Sequence, residues 1–156
     1  MTPAEIEKPS GALIVLPLTV TLARKRTVDK RISLNLNVYR NAHYHVLDDA
    51  KKTLKKIITE ELTAETEKII RGMKPPYCFT YVLYPGTKRL TDLGNVLSIV
   101  QKFCDDALVE LGLLEDDNYL VLRRVIYDFG EVDRENPRVE LIINELEETE
   151  QSAQKG

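Results

Sequence analysis

The chain has 156 residues, 43% of them hydrophobic and 30% charged, with a formal net charge of −3. That length suits one domain with a sizeable core, and no apolar run approaches the roughly 20 residues that span a bilayer. Two cysteines, Cys78 and Cys104, exclude a disulfide framework and lack metal-ligand spacing, so both read as buried free thiols.

Residues 1 to 11 carry Pro3, Pro9, Ser10 and Gly11 and read as a flexible leader. The apolar run behind them lacks the basic start and small-residue cleavage site of a signal peptide, so a cytoplasmic protein is expected. Residues 12 to 22, rich in leucine and β-branched residues, predict a strand with Pro17 at an edge or bulge. A basic turn with Arg24, Lys25, Arg26 and Lys30 follows. From 31 to 39 the chain alternates, with Ile32, Leu34, Leu36 and Val38 on one face, which predicts a half-buried strand paired with the first.

Residues 43 to 71 predict helix with a break near Thr63. Val46, Leu47, Ala50, Leu54, Ile57 and Ile58 make its apolar stripe, and Lys51, Lys52, Lys55 and Lys56 cover the rest. His43 and His45 are two apart, a spacing that shares a face on a strand but not on a helix, and they read as surface residues and not metal ligands. Pro75 and Pro76 stop any continuation. YCFTYVLY, residues 77 to 84, predicts a buried strand closed by Pro85 and Gly86. A helix over 93 to 111 ends at Gly112, and two strands, 119 to 129 and 138 to 143, flank a polar loop holding Gly130, Asn136 and Pro137. Residues 145 to 156 form an acidic tail expected to be disordered. The sum is an α+β (α/β) domain over 12 to 144: a small mixed sheet of four or five strands with two main helices.

The acidic leader and tail conceal a body of net charge +1. Its cations cluster at Arg24–Arg31, Lys51–Lys56, Lys88–Arg89 and Arg123–Arg124. Such clusters can follow phosphates, although any one of them also suits a solvated surface.

On the second helix, Leu93, Leu97, Val100, Cys104, Ala107, Leu108 and Leu111 share the core face at 100° per residue. Gly94, Ser98, Gln101 and Asp105 share a polar face expected to meet solvent. Between them runs a mixed strip of Asp92, Asn95, Ile99, Lys102, Asp106 and Val109. The strip fits a cleft lining or a subunit contact, and equally an amphipathic border with an i,i+4 Lys102–Asp106 pair. Asp92 is either a helix N-cap or a ligand, and Asp116–Asp117 either a turn or a ligand pair. Together these acids, with a lysine among them, suit metal-dependent phosphodiester chemistry. Carboxylates hold Mg2+ and a lysine meets developing phosphate charge.

The stretch Asp92-Leu93-Gly94-Asn95, then Lys102, Asp106-Ala107-Leu108 and Asp116-Asp117, resembles the signature of the RusA family of Holliday junction resolvases, phage versions above all. Asn37-Val38-Tyr39-Arg40-Asn41-Ala42-His43-Tyr44 resembles the family's early Asn/Tyr/Arg segment. The likeness covers about residues 13 to 144. It implies a RusA-like fold and a homodimeric, Mg2+-dependent (or Mn2+-dependent) crossover junction endodeoxyribonuclease. Such an enzyme cleaves four-way or branched DNA in recombination, repair or phage DNA processing, within a bacterial host carrying the phage.

Residue by residue, the resemblance implies Asp92 and Asp117 as acidic ligands with Asp116 beside them. It implies Lys102 as the catalytic lysine, Asp106 as a further metal candidate and Asn95 in support. Arg24, Lys25, Arg26, Arg31, Arg40, Asn41, His43, Lys88 and Arg89 would contact DNA. Gly94 departs from the family's second aspartate. That departure leaves open an alternative: a degenerate relative that binds branched DNA or a protein without cleaving.

Overall fold

The computed structural model describes residues 11–146. Residues 1–10 of the predicted leader and most of the predicted acidic tail therefore lie outside the described residues. In chain order the elements are β1 (Ala12–Leu16), β2 (Thr19–Leu22), β3 (Lys30–Ser33), α1 (Leu36–Asn41) and α2 (Tyr44–Glu61). Then follow α3 (Ala64–Gly72), β4 (Tyr77–Tyr84), α4 (Leu93–Glu110), β5 (Leu122–Phe129) and β6 (Arg138–Glu145).

Four strands form a mixed sheet in the order β1-β6-β4-β5, and β2 and β3 form a separate antiparallel pair. β6 runs antiparallel to both β1 and β4, whereas β5 lies parallel to β4. Parallel neighbours need a crossover, and α4 supplies it. Register aligns the core layers: Ile14, Leu141 and Tyr81 lie abreast, as do Leu16, Val139 and Leu83. Alternation sends these side chains to one face, where all six are buried. The helices cover this face. The opposite face stays partly open, with Leu13 45% and Ile126 41% exposed. One apolar cluster runs from Ala12 to Ile143, so the described chain is an α+β fold with the two long helices that its sequence pattern predicts.

Three elements differ from the sequence expectation. The run 12 to 22 is two strands, because Pro17 has no N–H for a ladder: β1 joins the main sheet and β2 turns away to pair with β3. The basic turn does join paired strands, but the second ends at Ser33. Beyond it the Asn35 side chain accepts a bond from the Val38 amide at 2.9 Å and starts α1. Leu36, Val38 and Tyr39 then pack against the core from a helical turn, not a strand. At the other end, Glu145 belongs to β6, where its carboxylate accepts from the Lys74 amide at 2.7 Å. Helix boundaries otherwise follow the capping chemistry. Thr63 caps α3 through the Thr66 amide at 3.0 Å, and Gly112 at φ 75° ends α4 in the left-handed conformation that glycine tolerates.

Both cysteines are free and buried. Among the described residues no helix is long and apolar enough to cross a membrane.

Candidate nucleic-acid interface and acidic residues

Sheet register decides which loops share an end of the molecule. Leu16 of β1 and Leu83 of β4 both pair with Val139. The chain after β1 and the loop after β4 therefore leave from the same end. The first leads into the β2–β3 hairpin, whose connection carries exposed Arg24, Lys25 and Arg26, with Arg31 at the start of the return strand. The second carries exposed Lys88 and Arg89 and ends at Asp92. Of these cations, Arg31 touches Thr19 Oγ1 at 3.3 Å, and none is in an ion pair among the described residues. Arg40 is exposed in the last turn of α1, Asn41 Nδ2 donates to the Asn37 carbonyl at 2.8 Å, and His43 caps α2.

Asp92 is the N-cap of α4, its Oδ1 accepting from the Gly94 amide at 3.0 Å. A Cβ on Gly94 would meet only Asp92 Oδ1, at 3.6 Å, so the position has room for a side chain. Asn95 is half-buried one residue on. From there α4 runs 18 residues, about 27 Å at 1.5 Å per residue. Asp116 and Asp117 follow its far end. Their loop returns to the base of β4, where the Tyr77 amide donates to the Val121 carbonyl at 2.7 Å. Asp92 and the Asp116–Asp117 pair thus stand at opposite ends of the sheet.

The joint expectation of Asp92, Asp106, Asp116 and Asp117 around one metal is therefore not met within one protomer. Among the described residues no three His, Cys, Asp or Glu side chains come together to hold an ion. Angular alignment along a helix says which side a residue takes, and the rise per residue keeps such residues apart.

Several of these carboxylates already have partners. Asp106 pairs with Lys51 of α2 at 2.9 Å and not with Lys102, the partner that the amphipathic-border alternative gave it, and that bond raises the Lys51 pKa. Lys55 and Glu110 make a second bridge between the same helices at 3.0 Å. Asp116 accepts from the Asp117 amide and from Asn118 Nδ2, both at 2.8 Å, and these bonds hold its pKa below the usual carboxylate range. Lys102 is exposed and makes no ion pair among the described residues. It borders a cleft between α1, α2 and α4 and is the one residue of the mixed strip on that lining.

The polar face of α4 is a correction. Asp105, expected in solvent, is 4% exposed. α4 lies on the sheet with this row turned toward two tyrosines: Tyr81 Oη donates to Asp105 Oδ1 at 2.7 Å, and Gln101 Nε2 donates to Oδ2 at 3.1 Å. Tyr127 Oη donates to Gln101 Oε1, which closes the network. Burial raises the Asp105 pKa to about 6 against the opposing bonds from Tyr81 and Gln101, and the charges of Asp117 and Asp106 add to the rise. The only sequence signal was indirect: buried tyrosines on β4 and β5 need partners for their hydroxyls, and Asp105 and Gln101 are the polar residues that α4 offers.

No protein-family model matches this chain, and no curated protein matches it.

Proposed function

We propose that the protein acts on branched DNA as a homodimer, in the manner of the RusA-like resolvases that its sequence resembles. The observation that supports this best is that the chain leading into the Arg24–Arg31 hairpin and the Lys88–Arg89 loop leave the same end of the sheet. Two unpaired basic segments on one end can follow two strands of a DNA backbone. Binding should then weaken steeply with salt. Replacing Arg24, Lys25 and Arg26 with alanine should reduce the slope of log K against log salt by about 2.7, at roughly 0.9 for each lost phosphate contact. An unchanged slope in mobility-shift titrations would remove these residues from the interface.

Cleavage in Mg2+ or Mn2+ would need carboxylates from two copies, Asp92 of one and Asp116 or Asp117 of the other, because one protomer holds them towards different ends of α4. Two surfaces suit a second copy: the partly open sheet face and the unpaired edge of β5, along which Val125, Ile126 and Phe129 are exposed. Mixing Asp92→Asn with Asp117→Asn protein tests this. Neither variant alone should nick a four-way junction, and the mixture should regain part of the wild-type rate.

The second reading is a relative that binds branched DNA or a protein without cutting. It is favoured by Gly94 and by the prior engagement of Asp92, Asp106 and Asp116. It predicts binding indifferent to Mg2+ and no nicking by wild type under any mixture.

A further inference from the structure

The cleft beside Lys102 has a lining that the backbone-binding role leaves unused. Its volume is about 530 Å3, within the roughly 300–1,000 Å3 of small-ligand sites. Phe103 and Tyr39 form its inner wall, their rings 6.2 Å apart. Tyr44 and His45 line it from the first turn of α2, with ring centroids 3.9 Å apart. His43 packs against both rings, 4.6 Å from Tyr44 and 4.9 Å from His45, so the three make one compact aromatic cluster. Tyr44 is 68% exposed and stays outside the apolar cluster that Tyr39 and Phe103 join.

Charge on the lining favours an anion. Lys102 has no acidic partner among the described residues, whereas Asp48, the one acid on the lining, is paired with Lys52 at 3.0 Å. Lys51 is held by Asp106 at 2.9 Å. One free ammonium beside exposed aromatic rings is the combination that recognises a nucleobase and its phosphate: the π-face takes the base, and the cation takes the charge. A fully paired duplex cannot use it, because its bases are already stacked on one another. An apolar peptide would leave Lys102 without a counter-charge.

We propose that this cleft takes one unpaired nucleobase, stacked on Tyr44 and His45, with an adjoining phosphate on Lys102. The proposal rests on the branched-DNA reading only in that branch points supply unstacked bases; the lining would take a single strand as well. The test compares wild type, Tyr44→Ala, Tyr44→Phe and His45→Ala for binding to a short oligothymidylate and to a fully paired duplex. 2-Aminopurine fluorescence, with the probe at the branch point of a four-way junction, reports base stacking.

Tyr44→Ala should weaken oligothymidylate binding about tenfold, in keeping with the loss of one base–aromatic stack, and should relieve the 2-aminopurine quench. Tyr44→Phe should keep both, His45→Ala should fall between, and duplex affinity should be the same throughout. Tyr44 is exposed, so a circular dichroism spectrum matching wild type is expected for each variant. Wild type that fails to bind oligothymidylate, or Tyr44→Ala that binds it like wild type, overturns the cleft whatever the junction does. Wild type that binds oligothymidylate through Tyr44 but ignores the junction would leave the cleft standing and remove the branched-DNA reading.

Discussion

Replacing Asp105 with asparagine should make stability less dependent on pH. The carboxyl is 4% exposed, accepts from Tyr81 and Gln101, and has its pKa raised from 3.8 to about 6 by burial and by the charges of Asp117 and Asp106. An acid whose pKa is higher in the folded than in the unfolded state binds more protons when folded. Stability from this group is therefore full below the unfolded value and falls as pH rises toward the folded one. A rise of about two units corresponds to a loss on the order of 2–3 kcal/mol between pH 4 and pH 7. Asparagine keeps an acceptor for Tyr81 and has no charge to bury. Urea denaturation at pH 4, 5, 6 and 7 would measure both proteins. The difference, Asp105→Asn minus wild type, should move in favour of the variant by on the order of 2–3 kcal/mol across that range. Tyr81→Phe, which removes the 2.7 Å bond to the carboxylate, should steepen the loss in an otherwise wild-type chain. A difference that stays flat with pH, or that favours the variant most under acid conditions, would refute the reasoning.

Two further outcomes follow from the start of α4. Asp92→Ala should cost about 1 kcal/mol through loss of the cap on the Gly94 amide, whereas Asp92→Asn should cost little; thermal unfolding of both separates the cap from any chemical role. Gly94→Asp should fold and gain about 0.5–1 kcal/mol, because the position has room, glycine is a poor helix former, and an acid suits a helix start. The same variant should raise junction nicking if catalysis has decayed at this position, a rate that a nicking assay reads directly.

Much of this arrangement was legible in the chain because local chemistry and tertiary packing agree. Asp92 and Gly112 bound α4 as a cap and a left-handed stop should, and the β-rich run at Tyr77–Tyr84 is the strand it predicts. Agreement fails where a partner distant in sequence decides. Alternation through Ile32, Leu34, Leu36 and Val38 continues past Asn35, yet the Asn35 cap and the docking of α1 turn the second half into helix. Gln101 and Asp105 look solvent-facing until Tyr81 and Tyr127 arrive from two strands to meet them. The acids do not come together within one chain for a simpler reason. A spacing close to four turns brings Asp106 to the side of Asp92 by angle, with Lys102 at the border of that strip, but each turn also moves 5.4 Å along the axis. The Lys51–Asp106 bridge then engages a carboxylate through a lysine 55 positions away, which helical spacing does not reveal.

Whether the protein prefers branched DNA is decided by a competition in which labelled four-way junction is displaced by unlabelled junction or by duplex of the same sequence. A protein acting on branched DNA through two basic segments should hold the junction against at least a tenfold excess of duplex at the same salt. Equal displacement by duplex, or no junction binding at low salt, would contradict the account.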